Sequence, residues 1–146
     1  LKEVHSIKFA INWSGACHDG IGVFKGWFDE YYQEALENGY AKIPMFWREN
    51  LLLSKKWFDD IRDTTPMMGL RMYEGPILAI AGDKDELVPY YHAKEIVENS
   101  KNENSKTVIV KNSNHTFNVL MPNESKANDV IEQTIQWINK VLMMNR

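Results

Sequence analysis

A carboxylate and a histidine each follow a buried strand predicted from the sequence, and together they could orient and move a proton. Asp85 comes shortly after the apolar run 76–81, and His115 comes shortly after the apolar run 107–110. Adjacent parallel strands lie about 4.8 Å apart, so short loops at their ends can bring two side chains into contact. A carboxylate bonded to one imidazole nitrogen leaves the other free to take a proton from a nucleophile. The spacing therefore predicts a base and its orienting acid.

Simpler roles are open to the same residues. Asp85 could cap the following helix, although Asp83 is the better candidate for that role, and Glu86 is interpreted as solvated. Asp83 and Asp85 could also bind a divalent cation, but no further ligand clusters with them in the sequence. His115 taken alone could be a surface histidine. The remaining histidines have no comparable neighbour and are interpreted as structural or solvated: His5, His18 and His92.

Composition excludes several classes of partner. The 146 residues carry 17 basic and 20 acidic side chains, a net charge of −3, so no electrostatic attraction to nucleic acid or anionic membrane is expected. The apolar runs are too short to span a bilayer. Cys17 is the single cysteine, which excludes an internal disulfide. No signal-peptide pattern is visible, and a cytoplasmic location is the expectation.

The hydrophobic pattern indicates an α/β fold. A continuous apolar run such as 76–81 is typical of a strand covered on both faces in a parallel sheet. The predicted elements are strands at 7–13, 76–81 and 107–110, helices at 27–38, 90–99 and 124–144, and a helical stretch at 44–63. Gly39 is the predicted stop of the helix 27–38. Alternating strands and helices in the second half predict a parallel sheet with crossover helices.

The second half of the chain resembles the C-terminal part of an α/β-hydrolase, closest to the esterase and serine-aminopeptidase-like branch. The resemblance rests on a turn in which Gly82, Asp85, Val88 and Pro89 match the family pattern. It implies that Asp85 is the acid of a catalytic triad and His115 its base.

The resemblance also implies an organisation and a cofactor requirement. Residues 1–23 would contribute a strand and loop of the hydrolase core, 24–74 a helical, aromatic-rich cap, and 75–146 the C-terminal core with acid and base. The sheet would contain about three strands. No cofactor and no metal are expected.

The third member of the triad is missing. The family's nucleophile sits in a Gly-x-Ser-x-Gly elbow, which does not occur in this sequence. Ser14 and Cys17 lie in the nearest approximations, but an elbow leads straight into a helix, whereas Gly20 and Gly22 predict an open loop. The resemblance implies a nucleophilic serine upstream of Leu1. The chain would then be an inactive fragment that needs an N-terminal half or a complementing chain.

Aromatic residues are concentrated in the cap-like segment. Ten of the seventeen fall between Phe24 and Phe58. They could form a small helical core, or an apolar pocket for the acyl or aryl group of a substrate, and the two roles are compatible. The predicted substrate-binding residues are Trp27, Phe28, Trp47 and Trp57.

The predicted function is that of a serine hydrolase acting on carboxylic esters, or on peptides and amides, by Ser-His-Asp acyl transfer. The substrate would be a small molecule with an apolar group. One alternative is a non-catalytic α/β binding module, or an inactive fragment that pairs with another chain. Another is a relative of the same fold with different chemistry, such as a lyase or dehalogenase.

Overall fold

The computed structural model describes residues 7–18, 20–45 and 48–144. The strands are β1 (Ala10–Trp13), β2 (Tyr40–Ile43), β3 (Leu51–Ser54), β4 (Ile77–Gly82) and β5 (Lys106–Val110). The helices are α1 (Gly20–Asn38), α2 (Lys55–Asp63), α3 (Pro66–Met72), α4 (Tyr91–Glu98) and α5 (Ala127–Met144). β1, β4 and β5 form a parallel sheet in the order β1-β4-β5, which confirms the predicted α/β class with three core strands.

β4 is the central strand, and the structure confirms that it is covered on both faces. All six of its residues are buried. Because side chains alternate along a strand, Leu78 and Ile80 pack with α5, whereas Ile77, Ala79 and Ala81 pack on the opposite face with α4. The continuous apolar run therefore reflects two cores, one on each side of the sheet.

Each covering helix turns one apolar stripe to the sheet. Ala93 and Ile96 of α4 are buried with the β4 side chains on one face. Val130, Trp137 and Val141 of α5 are buried on the other. Their spacing of three, four or seven residues places them on one side of each helix, as expected for helices that flank a sheet.

The chain divides into two compact units. Unit 1 comprises Leu1–Cys17 and Pro66–Arg146, and contains the parallel sheet. Unit 2 comprises His18–Thr65. The predicted cap spans residues 24–74 and therefore includes α3. In the structure α3 belongs to unit 1, where Leu70 joins the core beside α4.

Unit 2 differs from its predicted helical organisation. α1 begins at Gly20, with a local break at Phe24, so the predicted open loop around Gly20 is wrong. The helix ends at Asn38, and Gly39 adopts a left-handed φ of 81°, which confirms the predicted stop. The stretch 44–63 is not helical throughout, because β3 occupies its middle and pairs antiparallel with β2.

Phe58 is the centre of the unit 2 core, and its truncation is expected to destabilise that unit strongly. The side chain is 0% exposed and contacts the rings of Phe28, Tyr32 and Trp57 at centroid distances of 5.0–5.6 Å. Phe58→Ala should lower the free energy of unfolding by about 3–5 kcal/mol. Urea unfolding followed by tryptophan fluorescence measures it. Leu52→Ala is the control, because Leu52 is 62% exposed in the same unit, and equal losses in both variants would contradict this packing.

The outer edge of β1 is apolar and carries no strand among the described residues. β1 pairs only with β4 there. Ile11 and Trp13 on β1 are substantially exposed, as are Ile131 and Ile135 on α5.

None of the described helices is both long and apolar enough to cross a membrane.

Candidate active site

The structure brings Asp85 and His115 together at the carboxyl ends of β4 and β5. Asp85 Oδ2 lies 2.8 Å from His115 Nδ1. The Asp85 side chain is 0% exposed, whereas the His115 side chain remains 35% exposed. With a proton on Nδ1 donated to the carboxylate, the lone pair of Nε2 is free to accept another. Within the described part of the chain, Asp85 is the only hydrogen-bond partner of the His115 ring.

Asp85 is fixed by the turn in which it lies. Its Oδ1 accepts hydrogen bonds from the backbone N–H groups of Leu87 (2.9 Å) and Val88 (2.8 Å). A short aspartate side chain suits this position because it can accept hydrogen bonds from the backbone N–H groups of its own turn. The two carboxylate oxygens therefore have separate partners: Oδ1 holds the turn and Oδ2 faces the histidine.

Neither aspartate caps the following helix, so the capping role considered for Asp83 is wrong. α4 has Tyr90 at its N-cap, with no side-chain capping bond. Asp83 instead accepts a hydrogen bond from the backbone N–H of Ser113 (3.3 Å) and pairs with Lys111 Nζ at 3.8 Å. Since both carboxylates already bind donors of the chain itself, the arrangement argues against a cation shared by Asp83 and Asp85.

Backbone hydrogen bonds join the two loops that carry the pair. Asp83 N–H donates to Val110 O (3.0 Å), and Lys84 N–H donates to Ser113 O (2.9 Å). The loops approach so closely at Gly82 that a Cβ there would lie 2.1 Å from Ser113 O and 2.7 Å from Asn114 O. Only glycine leaves room for this contact. The separation of Asp85 and His115 is thus set by backbone contacts.

Asparagines shape the loop that presents His115, a role that was not predicted from the sequence. Asn114 Oδ1 accepts from the N–H groups of Thr116 and Asn118, while Asn118 Oδ1 accepts from Asn114 N–H. Asn112, Phe117 and Asn118 all have a φ between 53° and 56°. Asparagine tolerates this left-handed region and bonds nearby backbone. The recurrence of Asn at 112, 114 and 118 was the available signal.

Neither nucleophile candidate of the sequence fits that role. Ser14 is buried at the end of β1 with a φ of 50°, and its Oγ has no hydrogen-bond partner among the described residues. α1 starts only at Gly20, so no helix follows directly as an elbow requires. Cys17 is also buried, and that burial, with the nearby Glu95 carboxylate, raises the pKa of its thiol to about 12. Such a thiol is not the thiolate that attacks a substrate.

His92 is buried and hydrogen-bonded, in agreement with the structural role expected for it. Its Nδ1 lies 3.3 Å from Cys17 Sγ, and the Cys17 backbone N–H donates to the same nitrogen (3.3 Å). These residues are 75 positions apart in the chain, and no local spacing signals the contact. His18 is exposed, and His5 lies outside the described residues.

The predicted substrate-binding residues lie in unit 2, where they contribute to its core. Trp27, Phe28 and Trp57 are partly buried and pack against the cluster around Phe58. The rings of Trp27 and Trp57 are 5.9 Å apart. Their contribution to a substrate pocket stays a prediction, and Trp47 lies outside the described residues.

Several solved structures share this fold. Est1E from Butyrivibrio proteoclasticus superposes with a TM-score of 0.64 at 18% identity, over 94% of this chain and 52% of its own. A monoacylglycerol lipase from Paleococcus ferrophilus gives 0.60 at 12% identity, over 94% and 60%. A putative non-heme bromoperoxidase, BpoC, from Mycobacterium tuberculosis gives 0.57 at 11% identity, over 92% and 59%. The chain thus spans about half to three fifths of each of these structures.

At such identities the likeness establishes the fold and nothing finer. A comparison with curated protein sequences found no match. The family assignment rests on the sequence itself, because residues 17–145 match the prolyl oligopeptidase family over most of the chain. The chain belongs to the prolyl oligopeptidase family, within the α/β-hydrolase superfamily.

Proposed function

We propose that this chain supplies the acid and the base of a serine hydrolase that acts on carboxylic esters, or on peptides and amides. One observation carries the proposal: a fully buried carboxylate, Asp85, is hydrogen-bonded to a partly exposed histidine, His115, where two parallel strands end. In an open parallel sheet, binding and catalytic sites form at the carboxyl ends of the strands. Membership of the prolyl oligopeptidase family supports a serine hydrolase type of function.

In the proposed mechanism, Asp85 keeps a proton on His115 Nδ1 and stabilises the imidazolium when it forms. Nε2 of His115 takes the proton of the nucleophilic serine as that oxygen attacks the carbonyl carbon. His115 then returns the proton to the leaving alcohol or amine, and repeats the cycle when water cleaves the acyl-enzyme. These steps need no cofactor.

The nucleophile in this proposal is a serine outside residues 1–146. Two findings support that assignment: neither Ser14 nor Cys17 has the geometry of a nucleophile, and the chain spans little more than half of the structures it resembles. The donors that stabilise the oxyanion would come from the same missing part. The isolated chain would then be inactive.

A preference for apolar substrates remains part of the proposal. Trp27, Phe28 and Trp57 are only partly buried, and aromatic side chains suit contact with acyl or aryl groups. The substrate class is therefore a small ester or amide with an apolar group, with no role for nucleic acid or membrane.

A second candidate function is a pairing module that is not itself catalytic. Within residues 7–18, 20–45 and 48–144, no strand pairs with the outer edge of β1, and an unpaired edge is a template for another strand. This edge and the exposed apolar side chains near it favour the pairing module: Ile11, Trp13, Ile131 and Ile135. A second polypeptide that adds a strand to the edge of β1 is compatible with both candidate functions.

Labelling with a fluorophosphonate probe separates the two candidates. The native protein, purified with any polypeptide that accompanies it, is labelled, and the modified residue is mapped by mass spectrometry. We expect one labelled serine outside residues 1–146, with labelling lost in His115→Ala and retained in Glu86→Gln, an exposed neighbour of Asp85. Absence of labelling, or labelling that survives His115→Ala, would support the pairing module.

A further inference from the structure

The side chain of Asn118 spans the loop 111–126, which connects β5 to α5 and carries His115. Its Nδ2 donates to two backbone carbonyls, those of Asn112 (2.8 Å) and Glu124 (3.3 Å). Its Oδ1 accepts a hydrogen bond from the backbone N–H of Asn114 (3.0 Å). The residue is only 4% exposed. One buried amide therefore joins the beginning of the loop to its end.

The backbone of this loop is strained and needs such a connection. Asn112, Phe117 and Asn118 all adopt a left-handed φ of 53–56°, which costs energy for any residue except glycine. Strained conformations of this kind persist only where the surrounding contacts fix them. Asn118 supplies those contacts, because both donors of its amide are used by carbonyls that lie on either side of His115 in the chain.

The position of the His115 ring depends on the same backbone. Asp85 is the only hydrogen-bond partner of that ring among the described residues, and the histidine side chain remains 35% exposed. Asp85 itself is held by its own turn, so it does not follow a histidine that moves. A shift of the loop would therefore separate His115 Nδ1 from Asp85 Oδ2.

We propose that Asn118 is a positioning residue for His115. Its amide holds the loop 111–126 in the conformation in which His115 Nδ1 contacts Asp85 Oδ2. This contact is a property of the structure alone. The effect of Asn118 on a reaction rate rests in addition on the function proposed above.

The alternative is that contacts at the start of the loop are sufficient. Lys84 N–H donates to Ser113 O, and Gly82 packs closely against the backbone of Ser113 and Asn114. If these contacts alone position His115, Asn118 contributes to stability and has no influence on the imidazole.

Asn118→Gly distinguishes the alternatives, with Asn112→Gly as its matched control. Both substitutions place glycine at a left-handed position of the same loop, where glycine is not strained. The two variants differ in what they remove. The Asn112 side chain is exposed and forms no hydrogen bond among the described residues, whereas the Asn118 side chain forms three.

Imidazole ¹⁵N shifts of the 146-residue chain are the first readout. We expect His115 to keep its proton on Nδ1 in the unmodified chain and in Asn112→Gly, and to lose this preference in Asn118→Gly. Asn118→Asp should resemble Asn118→Gly, because a carboxylate cannot donate to the two carbonyls. Unchanged His115 shifts in Asn118→Gly, or equal changes in Asn112→Gly, would overturn the proposal.

A measurement on the unmodified chain needs no variant to fold. The side-chain amide protons of Asn118 are buried and bonded to two carbonyls, whereas those of Asn112 are exposed. The Asn118 protons should therefore exchange with solvent much more slowly. Equal exchange rates would overturn the proposal even if Asn118→Gly did not fold.

Kinetics of the complete protein separate this inference from the proposed function. In Asn118→Gly, kcat for an aryl ester should fall by about 10²-fold, as expected when a catalytic group is misplaced by about 1 Å, with little change in KM. Asn112→Gly should retain the kcat of the unmodified protein. Full kcat in Asn118→Gly would contradict the role of Asn118, whereas an inactive unmodified protein would contradict the proposed function and leave the NMR test of Asn118 in force.

Discussion

His115→Ala is expected to lower kcat of the active hydrolase by about 10⁴-fold or more, because the variant has no base to take the proton of the nucleophile. The active hydrolase here means the complete protein of our proposal, in which a serine outside residues 1–146 is the nucleophile. The measurement is steady-state hydrolysis of an aryl ester. KM should change little, since the imidazole acts on the reacting atoms and contributes little ground-state binding. Activity close to that of the unmodified protein would exclude His115 as the base.

Asp85→Asn tests the acid with little disturbance of the turn. The amide oxygen can still accept from Leu87 and Val88, but the amide nitrogen would donate to His115 Nδ1. The histidine would then carry its proton on Nε2, the wrong tautomer for a base, and kcat should fall by about 10⁴-fold. Imidazole ¹⁵N shifts of the 146-residue chain report the tautomer directly. Glu86→Gln should leave both readouts unchanged.

Gly82→Ala is expected both to destabilise the chain and to displace the loop that carries His115. The added Cβ would meet Ser113 O at 2.1 Å and Asn114 O at 2.7 Å, both backbone atoms that cannot rotate away. Overpacking of this kind costs about 1–3 kcal/mol, and more where backbone must shift. His115 directly follows Asn114 in the chain. A misplacement of about 1 Å at a catalytic group can cost about 10²-fold in rate.

The matched control for this prediction is Gly26→Ala. Gly26 lies in α1, and a Cβ there would meet nothing within 4 Å. Alanine should stabilise the helix by about 0.5–1 kcal/mol, because it restricts the unfolded chain. Chemical unfolding of both variants, with the Asp85–His115 contact followed by NMR, gives the comparison. Equal stability of the two variants would contradict the close approach at Gly82.

The contact between Asp85 and His115 was predictable because it depends on where two strands end. The apolar run that became β4 and the shorter run that became β5 both have a clear boundary, and parallel strands place their carboxyl ends at one edge. The hydrogen bond between Asp85 and His115 follows from that topology. Its detail, in which Oδ1 holds the turn, depends on a local backbone path that spacing alone does not reveal.

The β2–β3 hairpin could not be predicted from the hydrophobic pattern. Leu52 is exposed between the partly buried Leu51 and the buried Leu53, but three identical residues hide this period of two in the sequence. The aromatic residues that follow lie at helical spacing. For this reason the predicted helix wrongly included the three leucines before them. The start of α1 at Gly20 was missed for a different reason, because glycine normally disfavours helix and Gly20 was therefore predicted to lie in a loop.

Contacts between distant residues were the second kind of miss. Cys17 and His92 meet only because β1 and β4 are neighbours in the sheet and α4 follows β4. Each residue alone has the appearance of an ordinary core side chain, and no local spacing connects them.

The divided bonding of the Asp85 carboxylate has a consequence for the energetics of turnover. Its Oδ1 bonds to Leu87 and Val88 are backbone contacts of the folded turn, so the carboxylate is oriented before any substrate arrives. The entropy of ordering this group is lost during folding and does not recur in each catalytic cycle. In the proposed mechanism the acid is therefore preorganised: a positive charge that develops on His115 meets a carboxylate already in place, with little reorganisation energy.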